Sequence, residues 1–372
     1  MYYENRGEKR VKSLLVFLAM IIIIILLVTL NLRLEGMQNS NEQKYSTEKL
    51  TTTVEDEKVG EKRDYTFIKD ATKAIVGISK FKKNNILNLT AENTSIDSGS
   101  GVLITENGYI LTNHHVCGNK YSSCYVTLEN GEVYDGSVVW ADKNIDLAIV
   151  KITIAKADYL KLGDSDKIYL GEDVYAIGNP IGFEFQRTVT KGIISGLNRT
   201  IKVQDNNDFV YMEDLIQTDA TINNGNSGGA LINLSGELLG INTIKITEAQ
   251  GIGFAVPVNI VKPIINKLTE SGKFEEAYLG IYGYDKEVIP YLNASVDLKS
   301  GIYVDSIALD GPAYKSEIIV GDIITKIDGI EINKMSELKK YIYSKNPGET
   351  VKLTVNRKFK NFDVEVKLAY KL

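Results

Sequence analysis

From Tyr65 to Pro257 the apolar residues fall in short runs broken by Gly, Asn and Asp, with no alternation of strands and long helices. Ser100-Gly101-Val102-Leu103-Ile104 and Tyr109-Ile110-Leu111-Thr112 flank Glu106-Asn107-Gly108, and Tyr125-Val126-Thr127-Leu128 is parted from Val133-Tyr134 by Asn130-Gly131. Asn-Gly between alternating apolar runs is a hairpin signal. Further strands are expected at 147–152, 174–177, 188–197, 209–217, 238–246 and 252–256. A doubly wound sheet needs a helix between successive strands, so this stretch reads as antiparallel all-β, a sandwich or barrels. Ile260, Ile264 and Leu268, with Val261 and Ile265, repeat at helical spacing and stop at Gly272, which predicts one closing helix. Residues 278–372 read as a separate α+β unit with strands near 279–284, 301–306, 322–327, 350–355 and 362–368. A helix is expected at 335–344, before Asn346-Pro347-Gly348. No internal repeat is visible.

The 372 residues are too many for one ordinary domain. At 44% hydrophobic and 24% charged, they sustain a core and exclude global disorder. A net charge of −5 is not the footprint of a nucleic-acid binder. Ser13 to Leu32 carries no charge, and as a helix this run would be ~30 Å long, the thickness of bilayer hydrocarbon. No small-x-small cleavage site follows, which favours an uncleaved transmembrane helix over a signal peptide. Arg6, Lys9, Arg10 and Lys12 precede it. The positive-inside rule then places residues 1–12 in the cytoplasm and everything after Arg33 outside, in a single-pass cell-membrane protein. Residues 33–64 are polar and aperiodic and are expected to form a flexible linker.

Asn224-Gly225-Asn226-Ser227-Gly228-Gly229-Ala230 is the sharpest chemical feature. A serine hydroxyl needs a base to become a nucleophile, and glycines beside it let backbone N–H groups converge on a developing oxyanion. The segment also fits the nucleophile elbow of α/β-hydrolases, but that order requires a histidine after the serine. The only histidines, His114 and His115, precede it. They follow a predicted strand, whose successive side chains diverge, so at most one can face Ser227. Asp142 and Asp146 both lie between histidine and serine, and either can be the acid that orients the imidazole. The order His, Asp, Ser is that of chymotrypsin-type proteases.

Three segments carry a family resemblance: Thr112-Asn113-His114-His115-Val116, Asp146-Leu147-Ala148-Ile149-Val150-Lys151-Ile152, and Gln217 to Leu231 around Ser227. Together they resemble the signatures of HtrA/Deg serine proteases. Gly178-Asn179-Pro180-Ile181-Gly182 and Gly251-Ile252-Gly253-Phe254-Ala255-Val256-Pro257 are similar to two more family segments. The resemblance implies a mainly β fold: a chymotrypsin-like double β-barrel protease domain over 65–272, followed by an α+β PDZ domain over 278–372. It selects His115, Asp146 and Ser227 as catalytic, with Gly225 and Ser227 supplying the oxyanion hole. It also implies an apolar specificity pocket involving Ile222 and Ile252. Tyr278-Leu279-Gly280-Ile281 resembles a PDZ carboxylate-binding loop, and Gly311-Pro312-Ala313 and Val320-Gly321-Asp322-Ile323-Ile324 resemble other PDZ segments.

The expected activity is endopeptidase cleavage of misfolded or damaged extracytoplasmic proteins, with no metal, nucleotide or other cofactor. The expected partners are unfolded substrates, peptide C-termini at the PDZ domain and, by resemblance, two further copies in a homotrimer. Cys117 and Cys124 depart from the family pattern. An exported protein allows them to pair, closing a short loop worth roughly 2–3 kcal/mol; a zinc site with His114 and His115 is the weaker alternative. Two rival functions are an inactive PDZ-bearing chaperone or scaffold, which the filled triad argues against, and a signalling protease dedicated to one membrane-bound regulator.

Overall fold

The computed structural model describes residues 17–33, 65–81, 96–179, 187–205, 208–223, 225–245, 251–292 and 295–371. The chain divides into two compact units, Met1–Arg63 and Asp64–Leu372. In the first, residues 17–33 form a helix, α1, whose large apolar side chains are exposed. Residues 13–16 of the expected span, the 1–12 head and the linker beyond residue 33 lie outside the described residues. Among the described residues no helix is long and apolar enough to cross a membrane.

The second unit opens on a helix, α2 (Thr66–Lys73), in a stretch where the sequence pattern announced short strands and no helix. Only Ala71 of it is fully buried, so eight residues carry too short an apolar stripe to reveal the period. Six antiparallel strands then close a barrel: β1 (Ile75–Phe81), β2 (Ile96–Leu103), β3 (Tyr109–Thr112), β4 (Ser123–Thr127), β5 (Val133–Asp142) and β6 (Leu147–Ile152). They are ordered β1-β2-β3-β6-β5-β4. Between β3 and β4 a single helical turn, α3 (His114–Cys117), replaces the strand continuation expected there.

A second barrel follows: β7 (Asp173–Gly178), β8 (Thr188–Asp205), β9 (Asp208–Thr218), β10 (Ala230–Ile232), β11 (Leu238–Lys245) and β12 (Gly253–Pro257). Its order, β7-β8-β9-β12-β11-β10, repeats that of the first. The repeat is one of topology, invisible in the residues because each barrel fills its interior with different side chains. One continuous core joins them, with Leu111, Ile149 and Trp140 from the first barrel and Ile177, Ile232 and Ile241 from the second. The closing helix is present as a 3-10 turn, Val258–Val261, running into α4 (Lys262–Ser271). It ends on Gly272 in the left-handed conformation, whose N–H bonds to the Leu268 carbonyl, a glycine C-cap.

The last ninety-odd residues form the expected α+β module: β13 (Ala277–Tyr278), β14 (Ile281–Tyr284), α5 (Ile289–Leu292), β15 (Ile302–Ile307), β16 (Ile323–Ile327), β17 (Ile330–Glu331), α6 (Met335–Ser344), β18 (Thr350–Arg357), β19 (Lys360–Lys367) and β20 (Ala369–Tyr370). Its sheet runs β14-β15-β16-β18-β19 over a separate core that includes Ile302, Val304, Ile324 and Leu353.

This module is bolted to the barrels through α6. Tyr343 stands edge-on to Trp140, 5.7 Å between ring centres, and its hydroxyl donates to Asp142 Oδ2 at 2.7 Å. Lys339 Nζ reaches the same oxygen at 3.1 Å. Burial would raise the Asp142 carboxyl, but Lys339, the Tyr343 hydroxyl and Lys371 together hold it down at about 2. Lys334 and Ser336 both donate to Asp214 on β9, at 2.8 and 2.6 Å.

One group works against the junction. Burial, together with the nearby Asp285 carboxylate, pushes Glu213 up to about 8, and burial raises Asp285 as well. Lys339 pulls the Glu213 carboxyl down, and Asp214 pushes it up. A raised carboxyl favours the folded state fully below its ordinary value, 4.5, and that contribution fades as the pH climbs through about 8. Glu213→Gln is therefore expected to match the parent's melting temperature near pH 4.5 and to exceed it at pH 8–9 by on the order of ten degrees, at ~1.4 kcal/mol per pH unit by which the carboxyl is raised and ~2–4 °C per kcal/mol. Thermal unfolding across that range checks it.

Candidate active site

The corner after β3 is built around Asp146. This residue adopts a left-handed conformation, φ 52°, tolerable for an aspartate, and presents both its carbonyl and its carboxylate to α3. The carbonyl accepts Asn113 Nδ2 at 2.9 Å and the His114 N–H at 3.2 Å. The carboxylate accepts the His115 N–H at 3.0 Å and His115 Nδ1 at 3.0 and 2.8 Å. An ionised carboxylate only accepts, so Nδ1 carries the proton and Nε2 is left as the basic nitrogen. Asp146 is buried, while the His115 side chain is half exposed, as a base that must meet a substrate needs to be.

His115, not His114, faces Asp146; His114 Nε2 instead meets Asn119 Oδ1 at 2.7 Å. Asp146, not Asp142, is the carboxylate bonded to the imidazole, while Asp142 anchors the C-terminal module.

Thr243 on β11 completes the arrangement, and the sequence reading missed it. Its hydroxyl donates to Asp146 Oδ2 at 2.7 Å, and its carbonyl accepts Ser227 Oγ at 2.9 Å. It is buried and ties the first barrel's His–Asp pair to the second barrel's serine. Its only sequence signal was a place inside an expected strand, because partners ninety-seven residues apart leave no local pattern.

Ser227 lies in a turn that only glycine can follow. Gly228 has φ 82°, and a Cβ there would stand 2.0 Å from the Ser100 carbonyl oxygen. Among the described residues no acceptor meets the N–H of Gly225 or of Ser227, the two oxyanion-hole donors that the resemblance implied. Ile222 is buried, and a Cβ on Gly253 would meet its Cγ1 at 2.5 Å. The two segments expected to wall a specificity pocket therefore touch, with half-buried Ile252 beside them. Of Gly178-Asn179-Pro180-Ile181-Gly182, residues 180–182 lie outside the described residues, as does Asn224.

Cys117 and Cys124 are separate buried thiols, so the pairing that export allowed is absent here. Cys117 Sγ points at the Asn113 and Gly118 carbonyls, at 3.6 and 3.8 Å. Cys124 Sγ lies against Gly136. Burial pushes Cys124 up to about 11, against the pull of Lys80, and raises Cys117 further. Such thiols hold almost no thiolate at neutral pH.

In the C-terminal module the expected loop segments converge. The Leu279 carbonyl accepts the Ala313 N–H at 3.0 Å, and Gly280 accepts Ala308 at 2.9 Å. Asp322 is fully buried and grips Arg357 through two bonds, at 2.7 and 2.8 Å. Tyr278 to Ile281 line a cavity of about 460 Å³, closed by α6 on one side and by Tyr211 and Glu213 of β9 on the other.

Paired six-stranded barrels with a His–Asp–Ser network at their junction, followed by this module, define a trypsin-like serine endopeptidase carrying a PDZ domain. Comparisons agree. Residues 99–241 match the trypsin-like peptidase domain family and residues 290–368 the PDZ domain family. The Serine protease Do-like HtrA of Bacillus subtilis (strain 168) is 37% identical over 325 residues, covering 82% of this chain and 72% of the relative. The periplasmic pH-dependent serine endoprotease DegQ of Escherichia coli (strain K12) is 36% identical over 275 residues, 73% of this chain and 59% of that protein. A solved structure of the HtrA-type protease AlgW with a tripeptide superposes with a TM-score of 0.60 at 32% identity, covering 82% of this chain and 96% of that one. The chain belongs to the HtrA family of serine proteases.

Removing the Thr243 hydroxyl would leave a buried carboxylate short of a donor, at about 1–3 kcal/mol. Thr243→Val is expected to lower kcat by about tenfold or more while KM changes little, measured on a peptide that the parent cleaves. Mass spectrometry after alkylation without reductant should find both cysteines modified in denaturant and neither in the native protein.

Proposed function

We infer that this protein is a membrane-anchored endopeptidase that degrades misfolded or damaged proteins outside the cytoplasm. The observation that carries the catalytic part is the continuous network from His115 through Asp146 and Thr243 to Ser227. Ser227 is the nucleophile, His115 the general base and Asp146 the acid that holds the imidazole. In the resting geometry the Ser227 proton rests on the Thr243 carbonyl. For reaction the hydroxyl must leave that carbonyl for His115 Nε2, which takes the proton as Oγ attacks the scissile carbonyl. The carbonyl oxygen, now anionic, moves to the Gly225 and Ser227 N–H groups. His115 returns the proton to the leaving amine, and water hydrolyses the acyl-enzyme by the same steps. Ile222 and Ile252 would favour an aliphatic side chain before the cut.

At the PDZ domain a peptide C-terminus would pair with β14 while the Tyr278–Ile281 loop holds its carboxylate, the strand-addition mode. Anchoring rests on the uncharged Ser13–Leu32 run, whose described part is a helix with outward apolar side chains. Exported placement rests on the basic residues before it, with a relative described as periplasmic in support. Assembly as a homotrimer rests on family membership alone.

Ser227→Ala is expected to abolish digestion of an unfolded protein, by a factor on the order of 10⁶ if the triad acts as a unit; cleavage at the parental rate would refute the assignment. Deleting residues 1–33 should release the protein from the membrane fraction in active form, read by fractionation and casein digestion. Retention in that fraction would show that the anchor lies elsewhere.

A further inference from the structure

Ser100, on β2, is wholly buried and takes no part in the triad, yet it holds the nucleophile turn at two points. Its backbone N–H donates to the Ser227 carbonyl at 2.8 Å, and its hydroxyl donates to the Gly225 carbonyl. The direction of that second bond follows from proton counting. Ser100 Oγ accepts the Asn179 N–H at 2.6 Å, so its single proton is committed to Gly225. Its own carbonyl is fixed in turn by Thr112 Oγ1 at 2.6 Å.

In a trans peptide the C=O and N–H point in opposite directions, so bonds at both ends leave the plane no freedom to flip. The 225–226 unit is held by Ser100 Oγ at one end and by the Asn226 N–H on the Asn223 carbonyl, 2.9 Å, at the other. The 227–228 unit is held by the Ser100 N–H and by the Gly228 N–H on the Asn242 carbonyl, 2.8 Å. Between them the 226–227 unit is pinned only through the Asn226 carbonyl, which accepts Gly229 N–H at 2.9 Å. Among the described residues no acceptor takes the Ser227 N–H. Gly225 has φ 106°, a conformation in which glycine turns with little steric resistance. Without the hydroxyl the 225–226 plane would keep only its Asn226 N–H bond, and the angle it makes at Gly225 with the preceding unit, which carries the Gly225 N–H, would be free to change.

We propose that the Ser100 hydroxyl is a positioning residue for the oxyanion hole, locking the 225–226 peptide plane from which the two flanking units, carrying the Gly225 and Ser227 N–H groups, extend toward the developing oxyanion. This rests on Ser227 being the nucleophile, and the test separates the two claims. Ser100→Ala deletes the hydroxyl but keeps the backbone bond to Ser227. The expected result is a kcat lower by about 10- to 100-fold, short of the ~10²–10³ lost on deleting an oxyanion donor itself, with KM within about twofold. Affinity for a peptidyl boronic acid, whose tetrahedral adduct places an oxygen in the hole, should fall by a similar factor, and the melting temperature of the remaining folded protein should not predict the loss. A purely structural role would lower the amount of folded enzyme without changing kcat per active site, counted with an irreversible phosphonate. Unchanged kcat and boronate affinity in folded Ser100→Ala would overturn the proposal. If that variant does not fold, Ser100→Gly, which leaves no methyl group against the turn, is read by the same measurements and the same criterion. Loss of cleavage in Ser227→Ala alongside a fully active Ser100 variant would remove only this inference. Retained cleavage in Ser227→Ala would remove the reading of the site beneath it.

Discussion

The Asp146 carboxylate is where the two barrels become one enzyme. It lies buried at their junction and receives the imidazole and N–H of His115 from one side and the Thr243 hydroxyl from the other. Neither barrel alone can assemble this site. The first has the base and the acid but no nucleophile; the second has the nucleophile but nothing to take its proton. An acceptor buried among several donors costs little only while all of them are in place, so the carboxylate ties the alignment of the barrels to the alignment of the reacting groups. The continuous apolar core that spans both barrels keeps that alignment rigid.

The turn bearing Ser227 is held in the same way, from across the junction. Ser100 and Thr112 come from the first barrel, Asn179 and Asn242 from the second; Ser100 and Asn242 bond to backbone groups of the turn, while Thr112 and Asn179 fix the carbonyl and hydroxyl of Ser100. Backbone polar groups buried away from water must find partners, and here the partners they find also set where the unused N–H groups point. The PDZ domain joins through a different kind of contact: Trp140 and Tyr343 supply apolar area, while Asp142 and Asp214 collect donors from α6. The cavity between β14 and α6 is consequently lined by residues of β9 of the protease domain as well. A ligand entering it would meet residues of both domains.

Much of this was legible in the chain. Short apolar runs with Asn-Gly turns announced the strands, the Ile260–Leu268 spacing announced α4, and the Asn346-Pro347-Gly348 stop marked the end of α6 to within two residues. The site was readable because its chemistry is scarce: two histidines and one serine among glycines left few combinations. Family resemblance, rather than spacing, chose His115 over His114 and Asp146 over Asp142, and in the structure the side chains of His115 and Asp146 are bonded to each other. Where the reading failed, the determinant was a contact distant in sequence. The α3 turn exists because Asp146, thirty-one residues on, bonds to its N–H groups, and α2 carries too few buried residues to show a period. Thr243 and Ser100 look like ordinary strand residues until β11 and β2 are set beside the site.

Local order, then, belongs to the linear chain: side-chain periodicity, turn chemistry and capping act over a few residues and can be read there. So can the inventory of reactive groups, since no folding event adds a histidine. What the tertiary structure alone decided is which of those groups meet, because closing two barrels against each other joins residues separated by tens to more than a hundred positions. Hydrogen bonds act over about 3 Å, and only the packed molecule determines what lies within that distance.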